Sequence, residues 1–193
     1  MIPEEKRIHT KEDLREWLAI ETARYPLSAH HLLPYLFQLS QGAVIRRHMV
    51  LLRKTEYYLN TGKRLRAKLY LLRLTKLQMR YGMYFPPNTC GKGLYISHVN
   101  TGGVNPNSSV GEYCRFMPYA VLAGDDVNDS APTLGDHVTL GLRCTVMGGV
   151  TLADGITVGA HAFVNKSFLE PGVTIAGVPA KKLGGTEEKS ADA

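Results

Sequence analysis

From Val104 onward an apolar residue returns every six positions. The series is Val104, Val110, Phe116 and Leu122, then, after one interruption, Leu134, Leu140, Val146, Leu152, Val158 and Val164. Gly111, Ala123, Gly135, Gly141, Ala153 and Gly159 each follow directly on a member of the series. Small or β-branched residues take the fourth place after most members, as at Ser108, Cys114, Ala120, Val138, Cys144, Val150, Ile156 and Ala162. Neither a helix of 3.6 residues per turn nor a strand of period two produces this pattern. A six-residue period is the signature of a parallel β-helix. Each hexapeptide makes one flat side, three sides close a triangular coil, and the large apolar residue points inward. The small residues let the chain turn the corners.

Before the repeat, the apolar spacing is helical. Thr10 and Asp13 form a helix-start capping box. Leu14, Trp17, Leu18 and Glu21 continue at helical spacing to about Tyr25, and Pro26 ends the element. A second helical stretch is predicted from about Ala29 through Leu39, broken at Gly42. A third covers Val44 to Leu59, with a turn at Asn60-Thr61-Gly62. A fourth, amphipathic, runs from Leu65 to about Tyr81, and Pro86-Pro87 closes the helical region. The domains read as a helical one over 1–82, a β-helix over 83–183 and a tail over 184–193. The tail has no apolar anchor and is expected to be disordered. The interruption, Gly124 to Thr133, is acidic and turn-rich. It should loop out of the solenoid without disturbing the coils.

Composition narrows the function. The chain has 193 residues, 44% of them hydrophobic, and a formal charge of +6. No run of apolar residues is long enough to span a bilayer. The first residues carry Glu4 and Glu5 and no apolar leader, so a cytoplasmic protein is expected. Eleven of the basic residues lie between Val44 and Arg80, against one acid, Glu56. That stretch reads as a solvated basic face rather than a nucleic-acid site, with weak contact to a membrane surface as the sharper alternative. Cys90, Cys114 and Cys144 are 24 and 30 residues apart, both multiples of six. All three are expected at the inward small position of the repeat, as buried core residues with no zinc-type spacing. No metal site is expected.

The chain has no phosphate loop, nucleophile elbow or zinc motif. It does have Gly93-Leu94-Tyr95-Ile96-Ser97-His98 followed by Thr101-Gly102-Gly103-Val104. It also has Asn165-Lys166-Ser167-Phe168-Leu169-Glu170-Pro171-Gly172, leading into Ile175-Ala176-Gly177-Val178-Pro179-Ala180-Lys181-Lys182. In these segments the chain resembles the hexapeptide-repeat acyltransferases of the serine acetyltransferase type. Closest among them are the O-acetyltransferase-like proteins of bacterial capsule and polysaccharide gene clusters. Thr10-Lys11-Glu12-Asp13-Leu14 extends the likeness loosely into the helical region.

The resemblance implies a left-handed β-helix and direct acetyl transfer from acetyl-CoA to a hydroxyl. It places the catalytic base at His98, since one histidine can take the hydroxyl proton and return it to the departing thiolate. His9, His30, His31, His48, His137 and His161 are the competitors, with His161 a lesser candidate for the cofactor channel. The resemblance also implies a cofactor groove between adjacent subunits of a homotrimer. Gly141, Gly159 and Ala160 match its turns, and Gly177, Pro179 and Ala180 match the terminal motif. Lys181 and Lys182 are placed to meet a CoA phosphate.

The chain departs from the serine enzymes at three positions. Ser97 stands where they carry Asp, Met83 where they carry an orienting carboxylate, and about Ala131 where they carry a second histidine. These losses favour a sugar hydroxyl of a polysaccharide or its precursor as acceptor. Serine, and hence serine O-acetyltransferase activity in cysteine synthesis, is the alternative. A non-catalytic β-helix used for binding is a third reading. The group that orients His98 is then unassigned, and Asp125, Asp126 and Asp129 of the loop are the candidates.

Overall fold

The computed structural model describes residues 1–26, 40–125 and 127–183. The stretch predicted as a helix from Ala29 to Leu39, together with His30, His31, Asp126 and the tail, lies outside the described residues.

Among the described residues three α-helices precede the strands. After a short 3-10 turn at Glu4–Lys6, α1 spans Lys11–Ala23, and the predicted box forms in full. The Thr10 hydroxyl accepts from the Asp13 N–H at 3.0 Å, and the Asp13 carboxylate accepts from the Thr10 N–H at 2.9 Å. These bonds hold the Asp13 carboxyl below its usual range. α2 spans Gln41–Asn60 and starts three residues earlier than the apolar spacing predicts. The reason is Ser40, whose hydroxyl caps the helix by accepting from the Ala43 N–H, so Gly42 falls inside the first turn. α3 spans Arg64–Tyr81 and ends on Gly82 in the left-handed conformation, φ 57°. No helix among the described residues is long and apolar enough to cross a membrane.

The strands form three parallel sheets, the sides of a left-handed triangular β-helix. The first sheet holds β1 (Met83–Tyr84), β3 (Gly102–Val104), β6 (Ala120–Ala123), β9 (Thr145–Met147) and β12 (Phe163–Val164). The second holds β4 (Ser109–Val110), β7 (Thr133–Leu134) and β10 (Thr151–Leu152). The third holds β2 (Tyr95–Ile96), β5 (Arg115–Phe116), β8 (Thr139–Leu140), β11 (Thr157–Val158) and β13 (Thr174–Gly177), with β14 (Ala180–Lys182) folded back antiparallel on β13. The series residues point inward as the period requires. Val110, Phe116, Leu140, Val146, Val158 and Val164 are all completely buried.

Where the six-residue register changes, the geometry says why. Ile96 pairs with Phe116, but eight residues separate Ile96 from Val104 where six separate Phe116 from Leu122. Two residues are therefore inserted at the corner that carries Ser97 to Thr101. The acidic loop adds six more between Leu122 and Leu134, and the strands resume in register beyond it. The first insert also corrects the expectation for Cys90. With the phase shifted by two, Cys90 pairs with Val110 and occupies the place of the large inward residue, and only Cys114 and Cys144 take the small one. Burial pushes all three thiols up to about 12, so they are inert packing groups.

The helices close the first coil of the solenoid. Val44, Ile45, Met49 and Leu52 of α2 and Leu74 and Leu77 of α3 join one continuous core with Met83, Phe85 and the coil interiors. Within this seam lies Arg53, fully buried. Its guanidinium bonds both oxygens of Glu21 on α1, Glu56 on α2 at 2.9 Å, and the carbonyls of Cys90 and Gly91 at 2.9 and 2.8 Å. It stands 4.7 Å from the Trp17 ring centre. The two carboxylates in turn accept from the backbone N–H groups of Leu94 and Asn88. Removing Arg53 would strand two buried anions and two carbonyls. Arg53→Ala should lose about 3–5 kcal/mol of unfolding free energy in a urea titration.

His48 is the second buried polar group of the seam. Its Nε2 accepts from the Gln78 amide, which also donates to the Phe85 carbonyl, and its ring lies 5.6 Å from that of Phe85. Burial, reinforced by the Arg53 charge, pushes His48 down to about 3. The unfolded chain takes up this proton near pH 6.5 and the folded chain does not. Stability is therefore full above that pH and falls as the pH drops from about 6.5 towards 3, at about 1.4 kcal/mol per unit. His48→Gln should remove one proton from that slope when unfolding is followed between pH 4 and 7.

Candidate active site

His98 stands on the two-residue insert, exposed, where the chain leaves the third sheet for the first. The insert is pinned rather than slack. The Thr101 hydroxyl donates to the His98 carbonyl, and Thr101 is completely buried. The Asn100 N–H donates to the Tyr81 carbonyl, and Asn100 takes φ 58° to complete the turn. The Ser97 hydroxyl donates to the Phe116 carbonyl at 3.2 Å, which ties it into the next coil.

Among the described residues the hydrogen-bond partner of the His98 ring comes from α2. Its Nδ1 lies 3.1 Å from Oε1 of Gln41, the first residue of α2. A carboxamide oxygen facing Nδ1 pairs with the tautomer that has its proton on Nδ1, in which Nε2 is the acceptor atom of the ring. Nothing in the sequence singles out Gln41, which is 57 residues from His98. Only the Ser40 cap marks the helix start that presents it.

Asp125, one of the expected orienting groups, turns into its own loop. It accepts from the Val127 N–H at 3.0 Å and from the Asn128 amide at 2.6 Å, and these bonds hold its carboxyl below the usual range. Asp129 is exposed in the same turn, φ 46°. That loop joins the first sheet to the second, a corner away from His98. Met83 is buried as the first residue of the solenoid.

The residues assigned to the cofactor fall on one edge. In each coil the position after the inward residue of the third sheet donates its N–H to the next coil. Ser97 donates to Phe116, Met117 to Leu140, Gly141 to Val158 and Gly159 to Ile175, at 2.8–3.1 Å. At the spacing of adjacent strands this column runs roughly 19 Å from Ser97 to Ala176. A Cβ on Gly141 would stand 2.5 Å from the Val158 carbonyl oxygen, and one on Gly159 would stand 2.8 Å from the Ala176 Cβ. At Gly141 and Gly159 the column is flat because the next coil leaves no room for a Cβ, while Met117 carries a full side chain nearer the His98 end. His98 lies at its first end. Gly177, Pro179 and Lys181, exposed on the β13–β14 hairpin, lie at the other, and Ala160 is exposed beside Gly159.

Two of the expected contacts sit differently. Ala180 is buried, so its side chain closes the core instead of facing the groove. The Lys182 amino group is held at 2.7 Å by both oxygens of Glu170, which leaves Lys181 as the cation of the pair without an ion-pair partner among the described residues.

Tyr95, Arg24 and Arg115 complete the surroundings of the insert. Tyr25, at the end of α1, donates to the Ile96 carbonyl and stacks on Tyr95, and burial raises its hydroxyl. The guanidinium groups of Arg24 and Arg115 each lie 5.1 Å from the ring centre of Tyr95, three residues before His98 in the chain. The other described histidines are placed elsewhere. His9 contacts the Glu4 carbonyl. His137 stacks on Tyr113 at the opposite corner, with ring centres 5.2 Å apart. His161 is exposed on the same corner as His98, three coils away.

No family model matches the chain. Over 166 residues, 82% of this chain and 59% of the other, it is 26% identical to the serine acetyltransferase of Buchnera aphidicola. Two solved serine acetyltransferases, one from Neisseria gonorrhoeae in complex with serine and one in complex with CoA, match with a TM-score of 0.66 and 19% identity. The match covers 90% of this chain and 70–71% of theirs. The structural likeness bears out the fold, and the sequence relatives bear out the resemblance to hexapeptide-repeat acyltransferases. The chain spans about a fifth to three fifths of the length of the curated relatives it matches. The serine acetyltransferases it matches are named for serine as their acceptor.

The tautomer set by Gln41 is open to direct observation. In the parent, ¹⁵N shifts of His98 in the neutral ring should report the proton on Nδ1. Gln41→Ala should return it to the Nε2-protonated form that free imidazole side chains prefer.

Proposed function

We propose that the protein is an O-acetyltransferase that moves acetyl from acetyl-CoA to a hydroxyl, with His98 as the general base. The carrying observation is the position of His98, lifted out of the repeat at the head of the column that contains Gly141 and Gly159, with its Nδ1 facing Gln41. In this reading the thioester lies at the His98 end of the column and the remainder of the cofactor extends towards Gly177, Pro179 and Lys181. Contact along the column is mainly to backbone at Gly141, Gly159 and Ala160, and Lys181 meets a phosphate.

The acceptor oxygen bonds to the thioester carbonyl carbon as its proton passes to Nε2 of His98. The C–S bond then breaks, and the same proton goes to the sulfur, giving an acetyl ester and free CoA. Gln41 is a positioning residue in this scheme. Its acceptor oxygen stabilises the imidazolium formed in mid-reaction without carrying charge of its own, a weaker arrangement than a carboxylate. We also place the groove between subunits of a homotrimer, because one solenoid presents the column on an open face and threefold closure covers each copy equally.

The serine acetyltransferases among the relatives favour serine as acceptor, and Arg24 and Arg115, over the ring of Tyr95, offer cations for its carboxylate. A sugar hydroxyl is the second reading, favoured by the uncharged Ser97, Met83 and Ala131. Thiol release from acetyl-CoA with serine, with sugars and with neither distinguishes the two readings. His98→Ala should lower kcat by about 10²–10⁴-fold with the better acceptor while the protein stays folded. A loss of less than about fivefold, or no acceptor-dependent thiol release at all, would remove the proposal.

A further inference from the structure

We propose that the outer face of α3 docks on a membrane surface that carries anionic phospholipid. The helix is 18 residues long, about 27 Å. It buries Ala67, Leu74, Leu77 and Gln78 on one side. Its opposite side is not the polar face that a water-exposed helix normally carries. Leu65, Leu72 and Met79, seven residues apart and so in one line, are 85%, 68% and 81% exposed. Leu69 lies beside them, 46% exposed.

Cations border this stripe on both flanks. Lys68 lies on one. On the other are Arg73, Lys76 and Arg80, with Lys76 one turn from both Leu72 and Met79. From Tyr57 to Gly111 the sequence has no acidic residue. An exposed apolar line bordered by Lys and Arg is the composition of a helix that lies in the membrane interface.

A second observation points to the anion. Between α2 and α3 there is a groove of about 270 Å³, lined by Arg47, Arg73, Lys76, Arg80, Leu51 and Leu77. Among the described residues none of these four cations forms an ion pair; Arg73 and Arg80 lie over the neighbouring rings of Tyr70 and Tyr81. Four cations around two leucines suit a phosphate headgroup whose acyl chains continue past Leu72 and Met79.

A soluble anion would satisfy the groove and leave the stripe in water. A nucleic acid would do the same. A second copy packed about a two-fold axis would bring this all-cationic face against itself. An anionic bilayer satisfies both features, since basic residues near such a surface each add to the attraction.

The test is sedimentation of the full chain with vesicles of phosphatidylcholine alone and with phosphatidylglycerol added. Binding is expected only to the anionic vesicles and should weaken with salt. Arg73→Glu/Lys76→Glu/Arg80→Glu should lower partitioning about a hundredfold. Leu65→Ser/Leu72→Ser/Met79→Ser should also weaken it, with the melting temperature held because these side chains are exposed. Equal binding to both vesicle types, or unchanged binding in either variant, would overturn the proposal. So would a parent that ignores vesicles but is stabilised by inorganic phosphate, which makes the groove a soluble-anion site. A parent that ignores vesicles while the serine variant changes mass in light scattering would assign the face to a second copy. None of these readouts involves acetyl transfer, so the outcome is independent of the catalytic reading.

Discussion

Arg53 is the point on which the arrangement of helices and solenoid turns. One guanidinium with no exposure to water joins α1 through Glu21, α2 through Glu56 and the first coil through the carbonyls of Cys90 and Gly91. A buried ion pair is often matched by apolar residues of the same volume. This cluster differs because its members also satisfy backbone. The carboxylates accept from Leu94 and Asn88, so an apolar replacement would leave main-chain groups of the coil unpaired. The first coil has no preceding coil to complete its hydrogen bonds, and the helices do that work through Arg53.

That junction also builds the candidate site. His98 belongs to the first coil and Gln41 to α2, and the seam between them is what brings Nδ1 within 3.1 Å of the carboxamide. Tyr25 and Arg24 reach the same corner from the end of α1. A solenoid alone supplies a corner and the flat edge at Gly141 and Gly159. The docked helices supply Gln41, which faces Nδ1 of His98, and Tyr25, which ties the strand before that corner. The far end of the column is finished by local means, as β14 folds back on β13 and Ala180 closes the core. The site therefore depends on long-range packing at the His98 end and on the repeat itself at the other.

The two faces of α3 show the same division of labour. Leu74 and Leu77 are spent on the shared core, while Leu65, Leu72 and Met79 remain exposed beside cations that form no ion pair among the described residues. Folding of this chain does not require that outer face, since no described contact of the core uses it.

The sequence by itself determined the β-helix, because a six-residue period can be met only by coils of flat sides. It also determined the α1 box at Thr10 and Asp13, where the hydrogen bonds are between neighbours in the chain. The inward positions of Val110, Phe116 and Leu140 followed from the same period, as did the flat edge at Gly141 and Gly159, where the next coil leaves no room for a Cβ. His98 was legible as a candidate through its motif, but its partner was not. Gln41, Arg53 and the Cys90 position were decided by tertiary structure. Gln41 meets His98 across 57 residues of chain, Arg53 has its partners on three separate elements, and Cys90 moves phase because two residues are inserted downstream of it at the His98 corner. Periodicity reads contacts that recur at a fixed separation, and each of these arises once, from the way the helices close the end of the solenoid.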